Sequence, residues 1–270
     1  LDEALSFYNK GDYDSAIKLV KPLADQGNAA AQILLGRCFV EKDDYDSAMK
    51  LLKPLAEQGN DAEAQLSLGT CFFAKGDDDS AMKLLKPLSE QGNAEAQLLL
   101  GECFFRKGDY DSAIKFYKPL AEQGNTEVQL LLGTCFVEKC DYDSAIKWLK
   151  PLAEQGNVEV QIELGRCFLG KCDYDNAIKL LKPLAEQGNA DAQLLLGVCF
   201  VEKCDYDSAI KLLKPLAEQG NTAAQFALGK CFFEKGDYDS AMKWLKPFAE
   251  QGNTAAQDWL KQCLIHSKKK

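Results

Sequence analysis

Residues 205–221 read DYDSAIKLLKPLAEQGN. The stretch occurs eight times with small changes, and its proline falls at Pro22, Pro54, Pro87, Pro119, Pro151, Pro183, Pro215 and Pro247. Every interval is 32 residues except Pro54 to Pro87, which is 33. A fixed period of this size is the signature of a repeat array, in which each unit packs mainly on its neighbours. The expected architecture is therefore all-α: a solenoid of about eight helix-turn-helix repeats forming one domain over residues 1–270. Within it, 1–11 read as a truncated first helix, 12–253 as eight repeat periods, 254–266 as a capping helix and 267–270 as a tail.

The unit from Ala94 to Asn125 serves as the type. In AEAQLLLGECFFRK, Ala96, Leu100, Cys103 and Phe104 recur at the spacing of one helical face. Asn93 precedes this helix A as an N-cap, because its side chain accepts from free N–H groups of the first turn. Gly108 suits a left-handed C-terminal position. Asp109 then caps helix B, YDSAIKFYKPLAEQ, with Asp111 in the first turn where it meets the positive end of the dipole and stands four residues before Lys115. Ala113, Ile114, Tyr117 and Leu120 supply the buried stripe. Helices of about 14 residues are marginal alone, so their stability must come from stacking. Pro119 sits deep inside helix B, where proline costs about 3 kcal/mol, so a kink or a short break is expected there. The extra residue of the 33-residue interval, at Asp61 or its neighbour, enters the turn before helix A, as a bulge or a longer turn.

Composition narrows the function. The chain is 46% apolar and 27% charged with net charge −9, a folded and acidic protein. That balance argues against nucleic acid, which would need a basic face, and against an anionic membrane surface. No apolar run approaches the roughly 18 residues of a membrane-spanning helix. The array begins mid-unit at Leu1, so a truncated start and a lost leader stay open. Of 11 cysteines, Cys38, Cys71, Cys103, Cys135, Cys167, Cys199 and Cys231 fall at one position, LGxCF, with Cys263 as the eighth. Cys140, Cys172 and Cys204 replace a turn glycine in three consecutive units. Repetition of one site reads as free thiols and a reducing compartment such as the cytoplasm. Stacked units lie about 10 Å apart, too far for same-position thiols to form disulfides or to hold one zinc between them.

Catalytic constellations are hard to build. The one histidine, His266, lies near the C-terminus, no Gly-rich phosphate loop stands between a strand and a helix, and a nucleophile would lack an imidazole base. The expectation is a protein that is not an enzyme and needs no cofactor.

The motifs LGxCF, DYDxA and AEQGNAxAQ resemble the Sel-one-like repeats and their relatives, the tetratricopeptide repeats, across essentially the whole chain. KGDYDSA is similar to the tetratricopeptide turn from A to B, and LAEQGNADAQ to the Sel-one-like turn from B to A. The resemblance implies a right-handed superhelix with A helices lining a concave face that binds proteins or peptides. Two departures limit it. The paired Lys and Asn with which some tetratricopeptide proteins hold a peptide carboxylate have no counterpart here. The pairs Cys135/Cys140, Cys167/Cys172 and Cys199/Cys204 are too close in sequence for the intra-unit disulfide of cysteine-rich bacterial relatives.

Positions that vary between near-identical units mark where specificity can reside. The residue after the helix A glycine runs Arg37, Thr70, Glu102, Thr134, Arg166, Val198 and Lys230. Three residues earlier the series is Leu34, Ser67, Leu99, Leu131, Glu163, Leu195 and Ala227, with Trp259 in the last helix. By the resemblance both series point into the groove. Leu99, Leu131 and Leu195 would form an exposed apolar strip suited to a peptide or helical ligand. The same leucines could instead be buried between successive A helices, or serve self-association. Two readings of the whole chain remain beside the binding scaffold: an architectural array without a groove ligand, and a thiol-based metal or redox protein.

Overall fold

The computed structural model describes residues 1–58 and 61–267. Seventeen helices and no strand occur among them: α1 (Asp2–Asn9), α2 (Tyr13–Asp25), α3 (Ala29–Glu41), α4 (Tyr45–Gln58), α5 (Ala62–Ala74), α6 (Asp78–Glu90), α7 (Ala94–Arg106), α8 (Tyr110–Glu122), α9 (Thr126–Glu138), α10 (Tyr142–Ala153), α11 (Val158–Gly170), α12 (Tyr174–Glu186), α13 (Ala190–Glu202), α14 (Tyr206–Glu218), α15 (Thr222–Glu234), α16 (Tyr238–Glu250) and α17 (Thr254–Ser267). Odd-numbered helices are the A helices and even-numbered ones the B helices. The fold class is the one that the period predicts, an all-α helical-repeat solenoid.

The chain divides within α9 into two compact units, Leu1–Cys135 and Phe136–Lys270. In each unit a helix packs on the next in sequence, and successive A helices also touch: α3 with α5 and α5 with α7 in the first, α11 with α13 and α13 with α15 in the second.

Local chemistry sets the helix ends. The side chain of Asn93 accepts from the N–H of Ala96 at 2.9 Å, and that of Asp109 from Ser112 at 3.1 Å. In α5, Asp61 takes the capping place and accepts from both Glu63 and Ala64. The bulge or longer turn expected at Asp61 or its neighbour involves Gly59 and Asn60, which lie outside the described residues, as do 268–270 of the expected 267–270 tail; the capping helix runs on to Ser267. The repeated glutamine of AxAQ has its own role. Gln97 Nε2 donates to Ser89 O, and Gln193 Nε2 to Ala185 O, each adding a second bond to a last-turn carbonyl of helix B that already accepts from the turn glycine, Gly92 or Gly188, and so tying it to the next helix A.

The A-to-B turn needs a left-handed residue. Gly108 takes it at φ +73°. Asp43, Cys140, Cys172 and Cys204 take it at φ +57° to +59°, in a region that costs an L-residue about 1–2 kcal/mol. Each has a tyrosine two residues on: Tyr45 donates to Asp43 at 2.5 Å, and Tyr142, Tyr174 and Tyr206 stand beside the three thiols, which push the tyrosine pKa values up.

Of the kink or short break expected at proline, the break does not form. Helix α2 runs unbroken through Pro22 to Asp25, and α8 through Pro119 to Glu122. Each proline lies in the last turn, so few helical bonds remain beyond it to disrupt. The turn is held by packing, as with Ala24 in the core formed by Ala16, Val20, Ala31, Leu35 and Cys38.

A recurring close approach fixes the helix pair. A Cβ built on Gly36 would lie 2.7 Å from Leu52 Cγ, and one on Gly197 2.6 Å from Leu213 Cδ2. The glycine of LGxCF therefore exists to let helix B approach. The first pair bears this out by compensation: α1 carries Ala4 in the glycine's place, and the facing residue shrinks from leucine to Val20, both fully packed.

Candidate functional site

The A-helix face is assembled separately within each unit, and the two variable series divide between them. Leu34, Arg37, Ser67, Thr70, Leu99, Glu102, Leu131 and Thr134 belong to the first. Glu163, Arg166, Leu195, Val198, Ala227, Lys230 and Trp259 belong to the second.

The leucine strip is only partly open. Leu99 and Leu131 are half-buried, whereas Leu34 is 5% and Leu195 8% exposed. Leu195 joins a core with Ile162 of the preceding A helix. The expectation of an exposed strip is corrected at Leu195, and the groove candidate Leu34 is buried as well, because successive A helices pack closely enough to cover them.

Arg37 is the most heavily engaged of the variable residues. Its guanidinium stacks over the Tyr8 ring at 4.5 Å and pairs with Glu63 of the next A helix. Tyr8 and Tyr13 hydroxyls both donate to Glu41, at 3.1 and 3.3 Å. Thr70 and Thr134 turn their hydroxyls inward to donate to Leu66 O and Leu130 O, each at 3.0 Å. Glu102 is half-buried, and desolvation pushes its carboxyl pKa up, with Arg106 opposing and Glu127 adding to the shift. Beneath it, Tyr117 takes the place that leucine holds elsewhere against the helix A glycine, and its hydroxyl is buried without a hydrogen-bond partner among the described residues.

In the second unit Arg166 and Glu163 pair along α11 at 3.5 Å. Desolvation raises the Glu163 pKa; Arg166 opposes this, and Glu138, Glu159 and Asp191 add to it. Lys230 pairs with Glu202 at 2.8 Å. Val198 is half-buried. Trp259 does not join a free row: its ring packs on Phe226 at 5.3 Å and Phe233 at 6.1 Å.

Much of the remaining polar chemistry is structural. The C-terminal lysine of a helix A reaches back to the first-turn aspartate of the preceding helix B. Lys75–Asp46 is 2.8 Å, Lys107–Asp79 2.5 Å and Lys203–Asp175 2.6 Å, and Lys42–Asp14, Lys171–Asp143 and Lys235–Asp207 repeat the pattern. The aspartates read from sequence as caps and dipole partners are thus also inter-repeat braces. Their separation of 28 residues, or 29 for Lys75–Asp46, hid them, although the period already placed the two positions on adjoining turns. A related pair shows the same logic by exchange: where Asp78 replaces the usual tyrosine at the start of helix B, Arg106 stands 28 residues later, pairs with it and stacks on Phe73 at 3.7 Å.

The cysteines separate into two classes. All 11 are free. The LGxCF thiols are fully packed, and burial pushes Cys38 and Cys231 up to about 11 and Cys167 to about 12, which leaves them protonated and unreactive. Cys140, Cys172 and Cys204 are exposed. Among the described residues no three His, Cys, Asp or Glu side chains cluster in a way that could hold a metal ion.

Comparison with known proteins supports the repeat reading. The sequence profile of the tetratricopeptide repeat matches residues 8–68, 72–124, 106–161 and 169–221. That of anaphase-promoting complex, cyclosome, subunit 3 matches residues 203–270. No curated protein sequence matches. Among solved structures, a tetratricopeptide repeat protein from Parabacteroides merdae superposes with a TM-score of 0.64 at 15% identity, covering 87% of this chain and 98% of that one. The anaphase-promoting complex hetero-tetramer Cut9-Hcn1 gives 0.61 at 18% identity over 93% of this chain. This chain spans 52% of that one, about half its length. Pseudomonas aeruginosa pilF gives 0.57 at 18% identity, covering 73% of this chain and 95% of that one. At such identities the structures speak to fold. The repeat profile, which covers more than half of the sequence, speaks to ancestry: the chain belongs to the tetratricopeptide repeat family.

Proposed function

We propose that the protein is a non-enzymatic scaffold that holds a peptide or helical segment of another protein against the face lined by its A helices. Tetratricopeptide repeats generally mediate protein–protein interaction and scaffolding. The observation that supports this reading here is the distribution of variation. Caps, glutamine ties, lysine–aspartate braces and the glycine–leucine approach recur from unit to unit. Chemical character changes chiefly along the A-helix face, at Arg37, Thr70, Glu102, Thr134, Arg166, Val198 and Lys230. A surface that varies on a constant frame is suited to recognising a heterogeneous sequence. Within the family, the AEQGNAxAQ turn favours the Sel-one-like branch. Eleven free thiols, three of them exposed, favour a reducing compartment such as the cytoplasm.

The test is capture from native lysate in reducing buffer, comparing wild type with Leu99→Glu/Leu131→Glu. Both leucines are half-buried, so the variant should keep its helicity. The expected result is a protein retained by wild type and lost by the variant. Retention by both, or by neither, would remove the groove from this role.

A further inference from the structure

The first unit contains a cavity of about 330 Å³, lined chiefly by Arg37, Glu41, Glu63, Ser67, Thr70 and Glu95 of three successive A helices, with Tyr8 at one side. Its hydrogen-bonding inventory is lopsided. Carboxylates only accept. Arg37 is occupied by Glu63, the Tyr8 hydroxyl by Glu41, and the Thr70 hydroxyl by Leu66 O, which leaves Thr70 Oγ1 free only to accept. Among the described residues Glu41 has no cationic partner, and Glu95 has neither an ion pair nor a hydrogen bond. Ser67 is the second sign of a ligand. The residue is 9% exposed and lines the cavity, and its hydroxyl makes no hydrogen bond among the described residues. Serine stands here where Leu34 and Leu99 stand in the neighbouring A helices. The substitution both opens the floor and sets a polar group in it.

Three carboxylates against one arginine leave a net negative pocket, whose chemistry suits a cation rich in donors. A guanidinium supplies five N–H groups in a planar fork, enough to reach carboxylates on two walls and a hydroxyl on the floor. An ammonium supplies three from one point.

We infer that this cavity is a receptor for an arginine side chain carried by a partner protein segment. The inference rests on the scaffold reading and gives it a chemical class of partner. The occupant would lie beside the Arg37–Glu63 pair, with its guanidinium between Glu41 and Glu95 and within reach of Ser67 and Thr70.

The test is a titration of the ¹⁵N-labelled full chain with an acetylated, amidated Ala-Ala-Arg-Ala-Ala peptide, followed by NMR. Citrulline and lysine versions serve as controls. The expected result is a saturable shift at the amides of residues 37, 41, 63–70 and 95, absent with citrulline and weaker with lysine. Glu95→Gln should weaken binding about fivefold, the size of a partly exposed ion pair. Ser67→Leu installs the residue that neighbouring repeats already carry, so it should fold and abolish the shifts. Citrulline or lysine equal to arginine would overturn the assignment, as would the absence of saturable shifts or indifference to both substitutions. Loss of lysate capture in Leu99→Glu/Leu131→Glu without any arginine response would refute the pocket and leave the scaffold standing. An arginine response without lysate capture would do the reverse.

Discussion

Replacing Gly197 by alanine tests whether the close approach of helix B governs the repeat. Alanine is the better helix former by about 1 kcal/mol, so at an uncrowded position the change would stabilise. Here the new Cβ would sit 2.6 Å from Leu213 Cδ2 and 2.7 Å from Cγ. Leu213 is 0% exposed and cannot swing into solvent. Overpacking of this kind costs about 1–3 kcal/mol, so the net effect should be a loss of about 1 kcal/mol. Leu213→Val, which removes the clashing methyl, should alone cost about 1 kcal/mol. Combined, the two should cost little more than Leu213→Val, a coupling of about 1 kcal/mol. The Ala4–Val20 pair is the chain's own instance of that combination. Urea unfolding followed by circular dichroism gives the overall effect. Hydrogen exchange across α13 and α14 localises it, since repeat arrays need not unfold in one step. A Gly197→Ala protein at least as stable as wild type would refute the argument, and so would a double variant whose losses simply add.

Four further outcomes follow from the same geometry. Tyr117→Phe removes a buried hydroxyl that has no hydrogen-bond partner among the described residues, and thermal denaturation should show a gain of about 1 kcal/mol rather than a loss. Asn157 accepts from Val160 N at 3.2 Å, and Asn157→Ala should cost about 1 kcal/mol in the same assay. Glu163 has its folded pKa raised by desolvation, so the native state holds this proton more tightly than the unfolded chain does. Wild type should therefore lose stability relative to Glu163→Gln as pH rises from the ordinary carboxylate range through the raised value, and a flat difference across that window would contradict the burial argument. A thiol-reactive chromophore should titrate Cys140, Cys172 and Cys204 in the native protein and the other eight cysteines only on unfolding.

The period, the helix limits and the turn chemistry were legible from sequence because each follows from interactions within a few residues. Asn93 or Asp109 caps the helix it precedes, Gly108 supplies its own positive φ, and 3.6-residue spacing sets one face of each helix inward. The sequence also located the variable positions, since near-identical repeats expose every departure. How deeply each of those positions lies was decided by tertiary packing. Leu99 and Leu195 occupy one register, yet the first is half-buried and the second is covered, because burial depends on the bulk that the adjoining A helix presents. Ser67 reads as a neutral departure in sequence and becomes the floor of a cavity only when α3, α5 and α7 pack together. The lysine–aspartate braces and the Asp78–Arg106 exchange span 28 or 29 residues and join neighbouring repeats, so periodicity along one helix could not reveal them. Local sequence thus fixes where a side chain points, and the size of its neighbours across the helix interface fixes whether it meets protein, solvent or a partner.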